Sequence, residues 1–112
     1  MKNKTPIDIL IDKGYNDVIV FRNPDYTDAL IGLTTDYNAV YDYDLMVDWL
    51  IEHEDMNEEE AEDFISYNDS FCYGNNYPII YYGEDFEEMI AEENEDYVPL
   101  VFTKLEDLPN KN

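Results

Sequence analysis

Apolar residues recur along this chain at helical spacing in some windows and as short β-branched runs in others, and together they set out a series of short elements. Ile7, Leu10 and Ile11 fall at i, i+3 and i+4 behind Thr5, a capping residue, and Pro6, which suits a first helical position; Lys13-Gly14 closes the segment. A first helix is expected there. Val18-Ile19-Val20-Phe21 is a β-branched run fit for a strand, ended by Arg22-Asn23-Pro24-Asp25. Ala29–Leu33 and Ala39–Tyr41 read as two more strands, joined as a hairpin through the polar Thr34–Asn38.

Asp42 introduces a helix whose apolar stripe is Met46, Trp49 and Leu50, continued by His53. Asn57 caps the next helix, with Glu60 three residues on completing a capping-box pair, Met56 placed to staple against Ala61, and Phe64 and Ile65 extending the buried face. Asn68–Tyr77 reads as a loop around Gly74-Asn75-Asn76, and Pro78–Tyr82 as a strand stopped by Gly83. Phe86, Met89 and Ile90 predict one more short helix, and Val98–Phe102 a last strand at a sheet edge because Pro99 interrupts it. The order α-β-β-β-α-α-β-α-β predicts one α+β domain over residues 1–112: a mixed, mainly antiparallel sheet covered by short acidic helices. Residues 109–112 are expected to form a disordered tail.

Charge changes this picture. The 81 residues between Arg22 and Lys104 contain no Lys or Arg, yet hold 23 of the 28 acidic residues; the net charge is −22. Self-repulsion of that size opposes compaction. Disorder is not the expected outcome, because 45% hydrophobic and 15% aromatic residues supply a core. The acidic helices also lack the i+4 Lys partners that ordinary surface helices use. Their carboxylates must therefore face water, metal ions or a basic partner.

Nucleophilic catalysis finds no support in the pattern. The single Cys72 and single His53 are remote in sequence, with no elbow, triad or glycine-rich phosphate loop near either. Both read as structural, Cys72 between Phe71 and Tyr73, His53 at a helix C-terminus beside Glu52, Glu54 and Asp55. A calcium loop needs glycine at its sixth position, and the run from Asp36 puts Tyr41 there. Paired carboxylates for glycoside hydrolysis could be drawn from so many acids that the signal has no specificity. No catalytic residue, metal site or cofactor is expected. One cysteine excludes an internal disulfide, no signal-peptide or membrane-spanning run is present, and a cytoplasmic location is expected. An anionic surface also disfavours direct contact with nucleic acid or anionic membrane.

The reading that remains is a docking surface for a basic groove. It draws on Asp42, Asp44, Asp48, Glu52, Glu54, Asp55, Glu58, Glu59, Glu62 and Asp63 of the central helices and on Glu84, Asp85, Glu87 and Glu88 of the later one. Tyr67 joins them as an interface anchor, because Tyr37, Tyr41, Tyr43, Tyr67, Tyr73, Tyr77, Tyr81 and Tyr82 are too many for one core.

Two stretches carry a resemblance. Asp28–Val47, with Ala29-Leu30-Ile31-Gly32 and Ala39-Val40-Tyr41-Asp42-Tyr43-Asp44, and Met56–Asn68, with Glu59-Glu60-Ala61 and Asp63-Phe64-Ile65, resemble a family of small acidic proteins from chromosomes and prophages of low-GC Gram-positive bacteria. Pro78-Ile79-Ile80-Tyr81 extends the likeness to about half the chain. Where that pattern continues with an Arg-containing stretch, Asn68–Tyr73 here has no base. In size, acidity and phage-like ancestry the chain is also similar to anti-CRISPR proteins that disable type II effector nucleases. That resemblance implies a nuclease inhibitor that mimics nucleic acid and occupies a basic guide-RNA or target-DNA groove. Alternatives from the residues themselves are a mimic directed at another DNA-binding or restriction protein, an antitoxin-like partner of a basic protein, and a small metal-dependent enzyme.

Overall fold

The computed structural model describes residues 4–69, 77–82 and 102–111. Helix α1 spans Pro6–Asp12 and starts at the Thr5 cap read from the sequence, which the structure completes as a capping box: the Thr5 hydroxyl accepts from the Asp8 amide and the Asp8 carboxylate from the Thr5 amide, each at 3.2 Å. Its end is a Schellman motif. The Tyr15 amide donates to Leu10 O (2.9 Å), the Gly14 amide donates to Ile11 O (3.0 Å), and Gly14 sits at φ 91°, where a glycine carries no Cβ penalty.

Strands β1 (Leu30–Thr34) and β2 (Ala39–Asp42) form the expected antiparallel hairpin. Its turn is held by the Tyr37 amide on Thr34 O (2.9 Å) and the Asn38 amide on Thr34 Oγ1 (3.1 Å), with Tyr37 in a left-handed conformation at φ 66°. Strand β3 (Ile79–Tyr81) pairs in parallel with β2, and β4 (Phe102–Lys104) pairs antiparallel with β1, so the sheet order is β3-β2-β1-β4. The β1–β4 contact requires a glycine. A Cβ on Gly32 would stand 2.2 Å from Thr103 O, so any side chain there pushes the two backbones apart.

Helices α2 (Tyr43–His53) and α3 (Glu58–Asp69) follow β2 directly. Each begins on the cap that its sequence predicts: Asp42 Oδ1 accepts from the Leu45 amide (3.0 Å), and Asn57 and Glu60 exchange the two bonds of a capping box at 2.8 and 3.0 Å. Met46, Val47 and Leu50 of α2 and Ala61 and Ile65 of α3 enter the core, with Trp49, Phe64 and Met56 packed at its margin. The fold is a small α+β domain that has, among the described residues, three α-helices and a four-stranded mixed sheet. No helix among the described residues is long and apolar enough to cross a membrane.

Three expectations are corrected. Val18–Phe21 forms no strand; Val18, Val20 and Phe21 pack against the core while the Phe21 amide donates to the Tyr41 hydroxyl (3.1 Å). Both edges of β1 are already taken by β2 and β4, and β propensity expresses packing more than a backbone preference, so this run fills the core without a ladder. Asn68 and Asp69 continue α3 instead of opening a loop. Pro109–Lys111 do not trail away from the fold: Pro109 O accepts from the Tyr15 hydroxyl (3.0 Å) and the Lys111 amide donates to Lys13 O (2.6 Å). The helix expected around Phe86–Ile90, the Gly74-Asn75-Asn76 loop and the strand residues before Phe102 lie outside the described residues.

The centre of the core is aromatic. Tyr26 and Tyr41 are fully buried, and Phe21, Tyr26, Tyr41 and Trp49 pack with ring centroids 4.7 to 6.5 Å apart, within the range of favourable tilted and edge contacts. Tyr41 was expected among the surface tyrosines; it lies instead on an inner strand whose first three residues are all buried. Burial pushes its hydroxyl up to about 12, partly offset by the bond it accepts from Phe21.

Candidate acidic docking surface

Helix geometry sorts the carboxylates of α2 and α3 by role. With 3.6 residues per turn, Asp44, Asp48 and Glu52 rise one above another at steps of about 6 Å. All three are exposed, on the side away from Met46 and Leu50. Leu45 and Ile51, each 39% exposed, flank this row on either side. The result is a strip of three carboxylates between two apolar side chains. Nothing in the sequence singled out that apolar flank, although the helical spacing contained it.

Across the turn, Glu54 and Asp55 are exposed, Asp55 in a left-handed conformation at φ 57°. Glu58, Glu59 and Glu60 crowd the first turn of α3, where the helix dipole favours negative charge. Glu59 and Asp63 continue along its solvent side toward Tyr67, which is 67% exposed. Sequence-predicted carboxylates thus stand exposed on two packed helices and on their connecting turn. Four like-charge i,i+4 pairs lie among them: Asp44–Asp48, Asp48–Glu52, Glu58–Glu62 and Glu59–Asp63. Each opposes helix formation by a few tenths of a kcal/mol, about 1 kcal/mol in all.

One predicted member has a structural duty. Asp42 is half-buried and spends its carboxylate on the α2 N-terminus. Burial, with the charges of Glu62 and Asp44 adding to it, raises Tyr43 above the usual tyrosine range, and its ring packs 4.7 Å from that of Tyr82. Glu84, Asp85, Glu87 and Glu88 lie outside the described residues.

No Lys or Arg lies on α2, α3 or the turn between them. The two ion pairs among the described residues are Lys4–Asp12 and Lys111–Asp17, both away from α2 and α3. His53 is exposed at the end of α2 and lies against Trp49 with centroids 4.6 Å apart, an aromatic contact that continues the stripe outward. Among the described residues no group of three or more His, Cys, Asp or Glu side chains is disposed to hold a metal ion. Of the remaining tyrosines expected outside the core, Tyr37, Tyr67 and Tyr77 are exposed and Tyr43, Tyr81 and Tyr82 are half-buried; Tyr73 lies outside the described residues.

Comparison with known proteins returns no match: no family model, no curated protein and no solved structure is similar to this chain.

Proposed function

We propose that this protein inhibits a type II CRISPR effector nuclease by acting as an acidic mimic of nucleic acid. The observation that supports the reading is the exposed carboxylates of two helices and the turn between them, with no Lys or Arg among them and four repulsive pairs retained at a cost to stability. Such nucleases hold guide RNA and target DNA in positively charged channels and read a short adjacent motif with arginines. A folded surface that presents carboxylates about 6 Å apart along one helix can pair with those bases and release their counter-ions as a polyanion would. Leu45, Ile51 and Tyr67 supply apolar and aromatic contact beside the charges. The likeness to anti-CRISPR proteins in size and acidity points the same way. The partner is a basic nucleic-acid-binding protein, and the action is stoichiometric binding without turnover.

The test is affinity for a purified type II effector, read by fluorescence anisotropy of the labelled chain at low and high salt. Asp48→Lys, Glu52→Lys, Glu59→Lys and Asp63→Lys combined should abolish binding while leaving the helical spectrum intact. Binding of the unmodified chain should also weaken as the screening length falls from about 10 Å at 0.1 M salt to about 3 Å at 1 M. Affinity indifferent to both changes would overturn the proposal.

A further inference from the structure

Lys111, Tyr15, Tyr37 and Asp17 come together away from the acidic helices. The Lys111 ammonium stands 5.7 Å from the Tyr15 ring centroid and 5.2 Å from that of Tyr37, and 3.1 Å from Asp17 Oδ1. Both rings are within the roughly 6 Å over which a cation is attracted to an aromatic face. The rings lie 5.8 Å apart at 40°, so together they make two walls of a corner, with a carboxylate as the third.

The walls are fixed by the fold independently of the lysine. Tyr15 is buried, and its position follows from the Schellman end of α1. Tyr37 is held by the β1–β2 turn, where its left-handed backbone carries the ring outward. Asp17 follows two residues after Tyr15, and its side chain remains 80% exposed even when paired. The corner is therefore open to solvent on its carboxylate side. Two aromatic faces and one carboxylate around an ammonium are the chemistry by which alkylammonium groups are recognised. The bond to Lys111 also holds the Asp17 carboxyl below its usual range.

We infer that Tyr15, Tyr37 and Asp17 form a lysine-binding cage for the side chain of a partner protein, filled in the free molecule by Lys111. The segment that delivers Lys111 is held by separate backbone contacts, Lys111 N to Lys13 O, the Tyr15 hydroxyl to Pro109 O and Lys13 Nζ to Leu108 O. Removing the Lys111 side chain should thus empty the cage without releasing the segment. A tethered lysine competes at an effective concentration in the millimolar range, so an external one enters freely only when Lys111 withdraws or is removed. This site does not depend on the reading of the acidic helices.

The experiment is NMR titration of the full chain with Nα-acetyl-lysine amide, following the Tyr15 and Tyr37 ring signals at constant ionic strength. The Nε-acetylated compound serves as the uncharged control. Lys111→Ala should reach half-saturation at about tenfold lower probe than the unmodified chain, since the tethered competitor is gone. Tyr37→Asn, chosen because asparagine tolerates the left-handed backbone, should weaken Lys111→Ala about fivefold when combined with it. Asp17→Asn, at an exposed position that leaves the fold untouched, should do the same. Ring signals that stay fixed in Lys111→Ala, that respond equally to the acetylated probe, or that respond equally after Asp17→Asn would each overturn the assignment.

Discussion

Reversing one charge in the middle of α2 should move stability and binding in opposite directions. Asp48 has Asp44 four residues before it and Glu52 four residues after it, all three exposed. Asp48→Lys removes two like-charge pairs and creates two opposite-charge pairs, each worth about 0.3 kcal/mol. The sum is about 1 kcal/mol of added stability, a rise in melting temperature of about 4 °C for a domain of this size. Thermal and urea unfolding at low salt would read it. In 1 M salt the gain should shrink toward zero, because the charges along the row are then more than a screening length of about 3 Å apart. The same variant should bind a type II effector more weakly than the unmodified chain. A merely solvated surface predicts the first effect without the second. The reasoning is refuted if Asp48→Lys gains no stability at low salt, since the carboxylates would then already be compensated.

Gly32→Ala should cost about 1–3 kcal/mol in urea unfolding, because its Cβ would meet Thr103 O at 2.2 Å and β4 must shift. Faster hydrogen exchange should concentrate in β1 and β4. Asn57→Ala removes the side-chain half of the α3 capping box and should lower stability by about 1 kcal/mol, with melting followed by circular dichroism. Alkaline unfolding should expose Tyr41: its native value near 12 exceeds the ordinary 10.0, so the native state holds the proton more tightly. The stability this contributes is complete below pH 10 and is lost as pH rises toward 12. Tyr41→Phe should flatten that limb of the pH profile.

Local chemistry made much of the fold legible. Thr5-Pro6, Asp42 and Asn57 with Glu60 name the helix starts because their side chains do the capping, and Gly14 names the end of α1 because the Schellman turn needs its backbone. What the chain does not announce is which apolar runs find a partner. Val18–Phe21 has the composition of a strand but joins no ladder, and Val18, Val20 and Phe21 serve as packing. Tyr41 looked like a surface residue because so many tyrosines exceed what one core seems to need, whereas β2 lies inside the sheet and its first three residues are all buried. The docking segment at Pro109–Lys111 depends on Lys13, Tyr15 and Asp17, about 95 residues earlier, a pairing that no local pattern can reveal.

The candidate surface divides in the same way. Uniform charge on α2 and α3 was legible because missing bases are a property of composition, and helical periodicity then places Asp44, Asp48 and Glu52 in one row. The capping duty of Asp42 was legible from its place ahead of the α2 stripe, whereas the influence of Glu62 on Tyr43 was not, because it depends on how α3 packs on α2.

The central claim is that this protein silences a nuclease by occupying it. Titrating guide-directed DNA cleavage by a fixed, known concentration of active type II effector measures that directly. The account predicts activity falling linearly to zero at a stoichiometric equivalence point, with guide RNA recovered intact. Undiminished cleavage at many-fold excess of this protein, or complete inhibition far below equivalence with altered guide RNA, would contradict it.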